Sequence, residues 1–273
     1  MPLAARRSAA IAAAAVRTDE IGSRSPAIVL AYAYSGATRI ADLLSGSPCL
    51  ACTSRTGLLP LCYQAAETWR RIENRDGPLS PLAISSIRAL ADSMITVMLT
   101  AAGKARWCEI SFSPPIAAQT VLRLYPGAKF LCLHRSCADV IRVGVKANPW
   151  GLAGNGLDQF TLAYPGNSAA ALAAYWAEYT GQLLQFEQAN PAACVQVSYE
   201  NLAARPDQAA QEIFEFLDLP WDSASALGHV ETEPAREDRT SMADIEMPAD
   251  LLPGSLRDRV NDLQVRLGYP PFL

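Results

Sequence analysis

The sequence predicts an α/β fold, a mainly parallel sheet with helices on both faces. Three observations carry this. Apolar runs of strand length recur at Ile28–Ala31, Trp107–Phe112, Lys129–His134 and Ala193–Tyr199. Stretches of helical periodicity separate them. Half of the 273 residues are hydrophobic, enough for a sizeable core in one large domain. Parallel neighbours need a crossover connection, and strand–helix alternation supplies it.

The first 26 residues, Ala-rich with Arg6, Arg7 and Arg17, read as an N-terminal arm. Their Ala stretch is a weak export signal and is followed by Asp19 and Glu20. Residues 27–273 form the expected single domain. It opens with the strand at Ile28, a small-residue turn Tyr34-Ser35-Gly36-Ala37-Thr38, and a helix marked by Ile40, Leu43 and Leu44. Ser45 to Thr56 reads as loop and Leu58 to Arg71 as helix. Ser80 to Gly103 carries Ile84, Ile87, Leu90, Ala91, Met94, Ile95 and Met98 at helical spacing, with Gly103 as C-cap. The Trp107 strand, a helix from Ile116 to Leu124 and a break at Pro126-Gly127 follow. KFLCLH, Lys129 to His134, is nearly continuous in apolar residues, as a central parallel strand should be. A helix is expected from about Ala138 to Val145.

Residues 148–167 are rich in Gly, Pro and aromatics and read as a long structured loop over a site. Ser168 to Ala189 is a long helix, Ala193 to Tyr199 a strand and Pro206 to Leu217 a helix. Glu231 to Asp250 is charged and irregular. Ser255 to Leu267 is a terminal helix stopped by Gly268.

Composition excludes several function classes. Net charge is −4 without a basic run, so no nucleic-acid partner is expected. Seven Cys, an odd number scattered through apolar segments, read as buried thiols. No apolar run approaches the ~18 residues of a membrane span. A cytoplasmic protein with no membrane partner is the expectation.

The turn after the first strand carries the chemistry. Strand, tight turn and helix leave backbone N–H groups open at a helix N-terminus, where phosphate binds. Gly36 permits close approach, and Ser35 and Thr38 add hydroxyls. An ordinary capped β–α turn has the same pattern. No Lys lies between Ala27 and Ser45, so the triphosphate loop GxxxxGK[ST] is absent and a small-molecule kinase is disfavoured.

Four segments in order resemble one family. Ser35-Gly36-Ala37-Thr38 resembles the SGTT turn of sulfotransferases that use 3′-phosphoadenosine 5′-phosphosulfate (PAPS). LYPGAKFLCLHRSCADV, Leu124 to Val140, is similar to their second motif. Val197 to Trp221 and Arg257 to Tyr269 are similar to their later motif and C-terminal helix. The resemblance implies a P-loop-like sulfotransferase fold and PAPS as donor, leaving adenosine 3′,5′-bisphosphate (PAP). It implies a small hydroxylated acceptor, in the manner of bacterial secondary-metabolite enzymes. Backbone donors of Ser35, Gly36, Ala37 and Thr38 would hold the 5′-phosphosulfate and Arg135 the 3′-phosphate. Tyr199 would lie by the adenine, and Arg236 or Arg239 would add a cation from a late loop. Two positions depart from the family. Tyr34 stands where relatives carry Lys or Arg, and Arg55 where a related branch carries a catalytic Glu.

Transfer to a hydroxyl needs in-line positioning, a base, and donors for the leaving phosphate. A sulfuryl group carries one less negative charge than a phosphoryl dianion, so no metal is required. Candidate bases are His134, at the end of a central strand, and Glu109, at the Trp107 strand. A satisfied His and an exposed strand-end Glu are the plain alternatives. Arg39 and Arg55 are the candidate cations. Trp150, Phe160 and Tyr164 of the 148–167 loop are the expected acceptor contacts. Tyr34 and Arg55 also suit a nucleotide- or metabolite-binding relative that transfers nothing.

Overall fold

The computed structural model describes residues 25–74, 77–148, 151–152, 154, 156–220 and 251–271. Its sheet contains β1 (Ala27–Leu30), β2 (Leu50–Ser54), β3 (Arg106–Ser111), β4 (Lys129–His134) and β5 (Cys194–Ser198). Their order is β2-β3-β1-β4-β5, and every neighbouring pair is parallel. The helices are α1 (Ala37–Ser45), α2 (Leu58–Glu73), α3 (Pro81–Ala102), α4 (Pro115–Leu124), α5 (Cys137–Ala147), α6 (Asp158–Ala163), α7 (Ser168–Ala189), α8 (Tyr199–Ala204), α9 (Pro206–Phe216) and α10 (Gly254–Arg266). The predicted fold class is the observed one.

Side chains of β1 and β4 alternate between two buried faces, the pattern of a covered parallel strand. Ile28, Leu30, Phe130 and Cys132 pack under α2, α3 and α4. Ala27, Val29, Leu131 and Leu133 pack under α1 and α9. A third cluster forms beyond the end of β1, where Tyr32 and Ala33 meet α5, α6, α7 and α10. After β1 the chain runs outward to β2 and back to β3, then crosses β1 to β4 and β5. The C-terminal end of β1 is therefore the switch point of the sheet, where open α/β folds bind ligands.

The structure differs from the sequence reading in four places. Residues read as loop contain β2, an edge strand whose outer end is half-exposed and polar. The 148–167 stretch contains the short helix α6, seated by the buried Phe160. Tyr199, read as the end of the strand, opens the short helix α8, capped by the Ser198 hydroxyl, which accepts the Asn201 N–H at 3.2 Å. Finally, α3 has the length and mean hydropathy, 1.5, of a membrane span despite Arg88 and Asp92. Both charges are used within the fold: Arg88 lies over the Tyr125 ring and Asp92 accepts the Tyr125 hydroxyl at 2.6 Å.

Phe130 is fully buried in β4 and meets Phe186 of α7 edge-on at 5.0 Å. Phe130→Ala should cost about 3–5 kcal/mol in urea unfolding. A loss under about 1 kcal/mol would contradict this packing of the sheet on α7.

Candidate functional site

The turn after β1 is closed from within. Ser35 is fully buried, and its hydroxyl donates to Tyr32 O at 2.7 Å while accepting the Tyr32 N–H at 3.3 Å. The Ser35 N–H also bonds Tyr32 O, at 3.2 Å. Ser35 thus spends on the turn the donors that the sequence reading assigned to phosphate. The donors left at the start of α1 are main-chain groups of Gly36, Ala37 and Thr38, which lie ahead of the first intrahelical bonds. Gly36 is the N-cap, at φ 85°, and no side chain among the described residues caps the helix. Thr38 is exposed, and the half-buried Arg39 has its Nε buried without a hydrogen-bond partner among the described residues.

Tyr199 and Arg135 stack on this turn. A Cβ at position 36 would fall inside the Tyr199 ring, so only Gly admits the contact. The Arg135 guanidinium covers the ring at 3.9 Å, and its Nη1 donates to Tyr34 O at 3.2 Å. Main-chain groups fix Arg135 further. Its N–H donates to the Tyr32 hydroxyl oxygen at 3.0 Å, and its carbonyl accepts Trp176 Nε1–H at 2.9 Å and the Tyr32 O–H at 3.2 Å. Burial pushes the Tyr32 phenol far up, which keeps it a neutral donor.

The loop after Arg135 is tied down from three elements. The Ser136 hydroxyl caps α5 through Asp139 N–H at 3.2 Å, and the Ser136 N–H donates to Glu200 at 2.9 Å. Glu200 also accepts the hydroxyls of Ser198 at 3.0 Å and Tyr269 at 2.6 Å. Gln264 of α10 accepts the Cys137 N–H at 2.9 Å. Asp139 pairs with Arg142 at 2.9 Å, and Val140 is core.

Beside the turn lies a cavity of about 280 Å³ lined by Ala33, Arg55, Phe112, Gly156, Tyr175 and Tyr179. Tyr175 anchors it to the turn, its oxygen accepting the Ala33 N–H at 2.9 Å. Burial raises the phenols of Tyr175 and Tyr179, so both stay neutral. Arg55 lies over the Phe112 ring at 4.4 Å. Its φ of 55° is left-handed, a conformation costing about 1–2 kcal/mol for an L residue.

The candidate bases are placed elsewhere. His134 is 1% exposed with Nε2 on Glu187 at 2.6 Å, and it does not line the cavity. Glu109 is 2% exposed and fully engaged. It takes the Thr53 hydroxyl at 2.5 Å, and the Thr56 N–H and hydroxyl at 3.0 and 3.1 Å. That grip holds the segment that presents Arg55. Phe160 backs the cavity, edge-on to Tyr175 at 5.5 Å, rather than lining it. Tyr164 is half-buried on the same cluster. Tyr34 accepts Asn148 Nδ2–H at 2.7 Å, which joins the turn to the following loop. Trp150, Arg236 and Arg239 lie outside the described residues. Tyr175 and Tyr179, four apart on α7, were legible as a helix face but not as a cavity wall.

The model of the sulfotransferase family matches residues 26–223. This chain belongs to the sulfotransferase family. Among relatives of this sulfotransferase, a Caenorhabditis briggsae protein named to the protein-tyrosine sulfotransferases is 28% identical over 209 residues, covering 75% of this chain and 69% of that protein. Protein-tyrosine sulfotransferase A of Caenorhabditis elegans is 24% identical over 215 residues. That match covers 76% of this chain and 54% of the relative, so the chain spans about half its length. Solved structures share the fold, two sulfotransferase domains among them. The sulfotransferase domain from the curacin biosynthetic pathway has a TM-score of 0.62 at 17% identity, with 90% of this chain and 98% of that one covered. The sulfotransferase domain from the Synechococcus PCC 7002 olefin synthase has 0.57 at 18%, with 90% and 96% covered.

Burial raises the Glu109 pKa above the ordinary carboxylate value, while the Thr53 and Thr56 bonds oppose the shift. The native state then holds this proton more tightly than the unfolded chain. The resulting stability is complete below the unfolded value, about 4.3, and is lost as pH rises through the raised native value. Glu109→Gln should flatten the decline of unfolding free energy across that weakly acidic window. Identical pH slopes for both proteins would contradict it.

Proposed function

We propose that this sulfotransferase takes its sulfuryl group from PAPS and delivers it to a hydroxyl of a small acceptor in the cavity beside the turn. The observation that carries the reading is the Gly36–Tyr199–Arg135 stack at the switch point of the sheet. A bare glycine, a run of uncapped helix N–H groups and a guanidinium fit an anionic nucleotide. The main chain of residues 36–38 would hold the 5′-phosphosulfate, Arg135 the 3′-phosphate, and Tyr199 would border the adenine. When bound, PAPS supplies an activated sulfuryl group.

The chain's own part is positioning and charge. Tyr175 couples the cavity wall to the turn through Ala33, so an acceptor there sits next to the donor site. Neutral Tyr175 and Tyr179 orient the acceptor as hydrogen-bond donors; their raised pKa values suit them poorly as bases. His134 and Glu109 act as supports of the strands and loops that carry the site. A second reading, a peptide tyrosine as acceptor, is favoured by the names of the two nematode relatives.

PAP should raise the melting temperature with its concentration, and ATP-magnesium should not. Transfer of label from PAPS to small phenols, but not to tyrosine peptides, should follow. An equal shift with ATP-magnesium would overturn the nucleotide assignment. Transfer to peptides alone would select the second reading, and PAP binding without transfer to any acceptor would make the chain a binding protein.

A further inference from the structure

Cys52 of β2 and Cys108 of β3 are register partners in a parallel pair. Partners across such a pair point to the same face of the sheet. Both side chains pack in the cluster under α1 and α9. Adjacent strands lie about 4.7–4.9 Å apart, within the range of about 4.4–6.8 Å between Cα atoms that a disulfide spans. The pair Cys132 and Cys194 lacks this register. Cys194 stands opposite Phe130, so Cys132 is displaced along β4. Strand spacing and rise put those Cα atoms about 8 Å apart, beyond a disulfide's reach without backbone movement. Cys49 precedes β2, and the extended chain from Leu50 carries Cys52 away from it.

The two thiols of the registered pair differ in character. Cys52 is half-buried on the edge strand, open to a small oxidant, and Cys108 is fully buried. The Cys108 thiol, the Ser45 hydroxyl and the Lys104 ammonium hold the Cys52 thiol below its ordinary value, against the effect of burial. Lys104 is fixed nearby, its Nζ donating to Ser47 O at 2.8 Å. The contact with Cys52, together with burial, pushes the Cys108 thiol well up. The negative charge therefore resides on Cys52, and the thiolate is the nucleophile. Cys108 keeps its proton until a partner sulfur accepts its attack.

We propose that Cys52 and Cys108 form a peroxide-sensitive pair that closes to a reversible cross-strand disulfide and disturbs the cavity wall. The Cys52 sulfur attacks one oxygen of hydrogen peroxide, the O–O bond breaks, and hydroxide leaves as Cys52 becomes a sulfenic acid. The Cys108 sulfur then attacks the Cys52 sulfur. The S–O bond breaks, and its oxygen leaves as water with the Cys108 proton. The two sulfurs are oxidised, and the peroxide is reduced to water and hydroxide. The next register partners are Thr53 and Glu109, joined by the Thr53 hydroxyl at 2.5 Å. Glu109 also holds Thr56, beside the Arg55 of the cavity wall. A disulfide brings its Cβ atoms to about 3.8 Å, closer than the strands stand. Closing it shifts Thr53 against Glu109 and moves the segment that borders the cavity.

The test treats the reduced, folded full chain with hydrogen peroxide, blocks the remaining thiols and maps the digest by mass spectrometry. The wild type should yield a peptide pair linked through Cys52 and Cys108, which dithiothreitol separates. Cys108→Ala should leave Cys52 as a sulfenic acid that dimedone traps, and Cys52→Ser should form neither product. Transfer from PAPS to a small phenol should fall about threefold or more on oxidation of the wild type, since small displacements near a reacting site are costly. It should recover with dithiothreitol and stay unchanged by peroxide in Cys52→Ser. A Cys49–Cys52 or Cys132–Cys194 bond in place of the expected one overturns the inference, as does over-oxidation of Cys52 without a disulfide. A Cys52–Cys108 bond that leaves transfer unchanged overturns the effect on the cavity wall. The mapping needs no activity, so it stands apart from the sulfotransferase reading, which fails separately if the reduced protein transfers nothing.

Discussion

The Tyr199 ring lies between a glycine and a guanidinium, and the site depends on that contact. Gly36 belongs to the turn after β1, Arg135 follows β4, and Tyr199 follows β5. One stack therefore locks together the ends of three strands. It demands a residue without Cβ at 36. It also holds a buried guanidinium in place, laid on the Tyr199 face with Nη1 donating to Tyr34 O. A desolvated cation–π contact of this kind is worth about 2 kcal/mol. Tyr32 and Trp176 hold the Arg135 backbone from below, so the guanidinium is set by main chain as well as by its own partners.

The same economy applies at Tyr34 and Arg55, the two positions where the sequence was expected to depart from the family pattern. Tyr34 packs on the α5–α7 cluster and accepts the Asn148 Nδ2–H, so this position joins the turn to the end of α5. By the sequence resemblance Arg55 takes a position expected to carry a Glu, and the buried carboxylate in this region is Glu109, on β3. Glu109 is consumed by Thr53 and Thr56. The acid here supports the loop, and Arg55 is part of the cavity wall.

The sheet strands β1, β3, β4 and β5 were legible because each is an apolar run of the right length. The order of four motifs made the family legible as well. What the sequence did not show depends on contacts across long separations. β2 is an edge strand with Thr and Ser at its outer end, so it reads as loop. α6 is six residues long, too short to show a period. Ser35 is indistinguishable by sequence from a phosphate donor, and its inward turn depends on bonds to Tyr32. The cavity wall joins Ala33 to Tyr175, 142 positions apart. The aromatics of the 148–167 stretch were expected to meet the acceptor; of these, Phe160 packs edge-on to Tyr175, behind the cavity wall.

The central claim is that Tyr199 and Arg135 act as one unit in nucleotide binding. The most direct measurement is a double-mutant cycle on PAP affinity with Tyr199→Leu, Arg135→Lys and the pair. Residues in contact should show a coupling energy of about 1 kcal/mol or more. Effects that add to within about 0.3–0.5 kcal/mol would contradict the stack as the basis of the site.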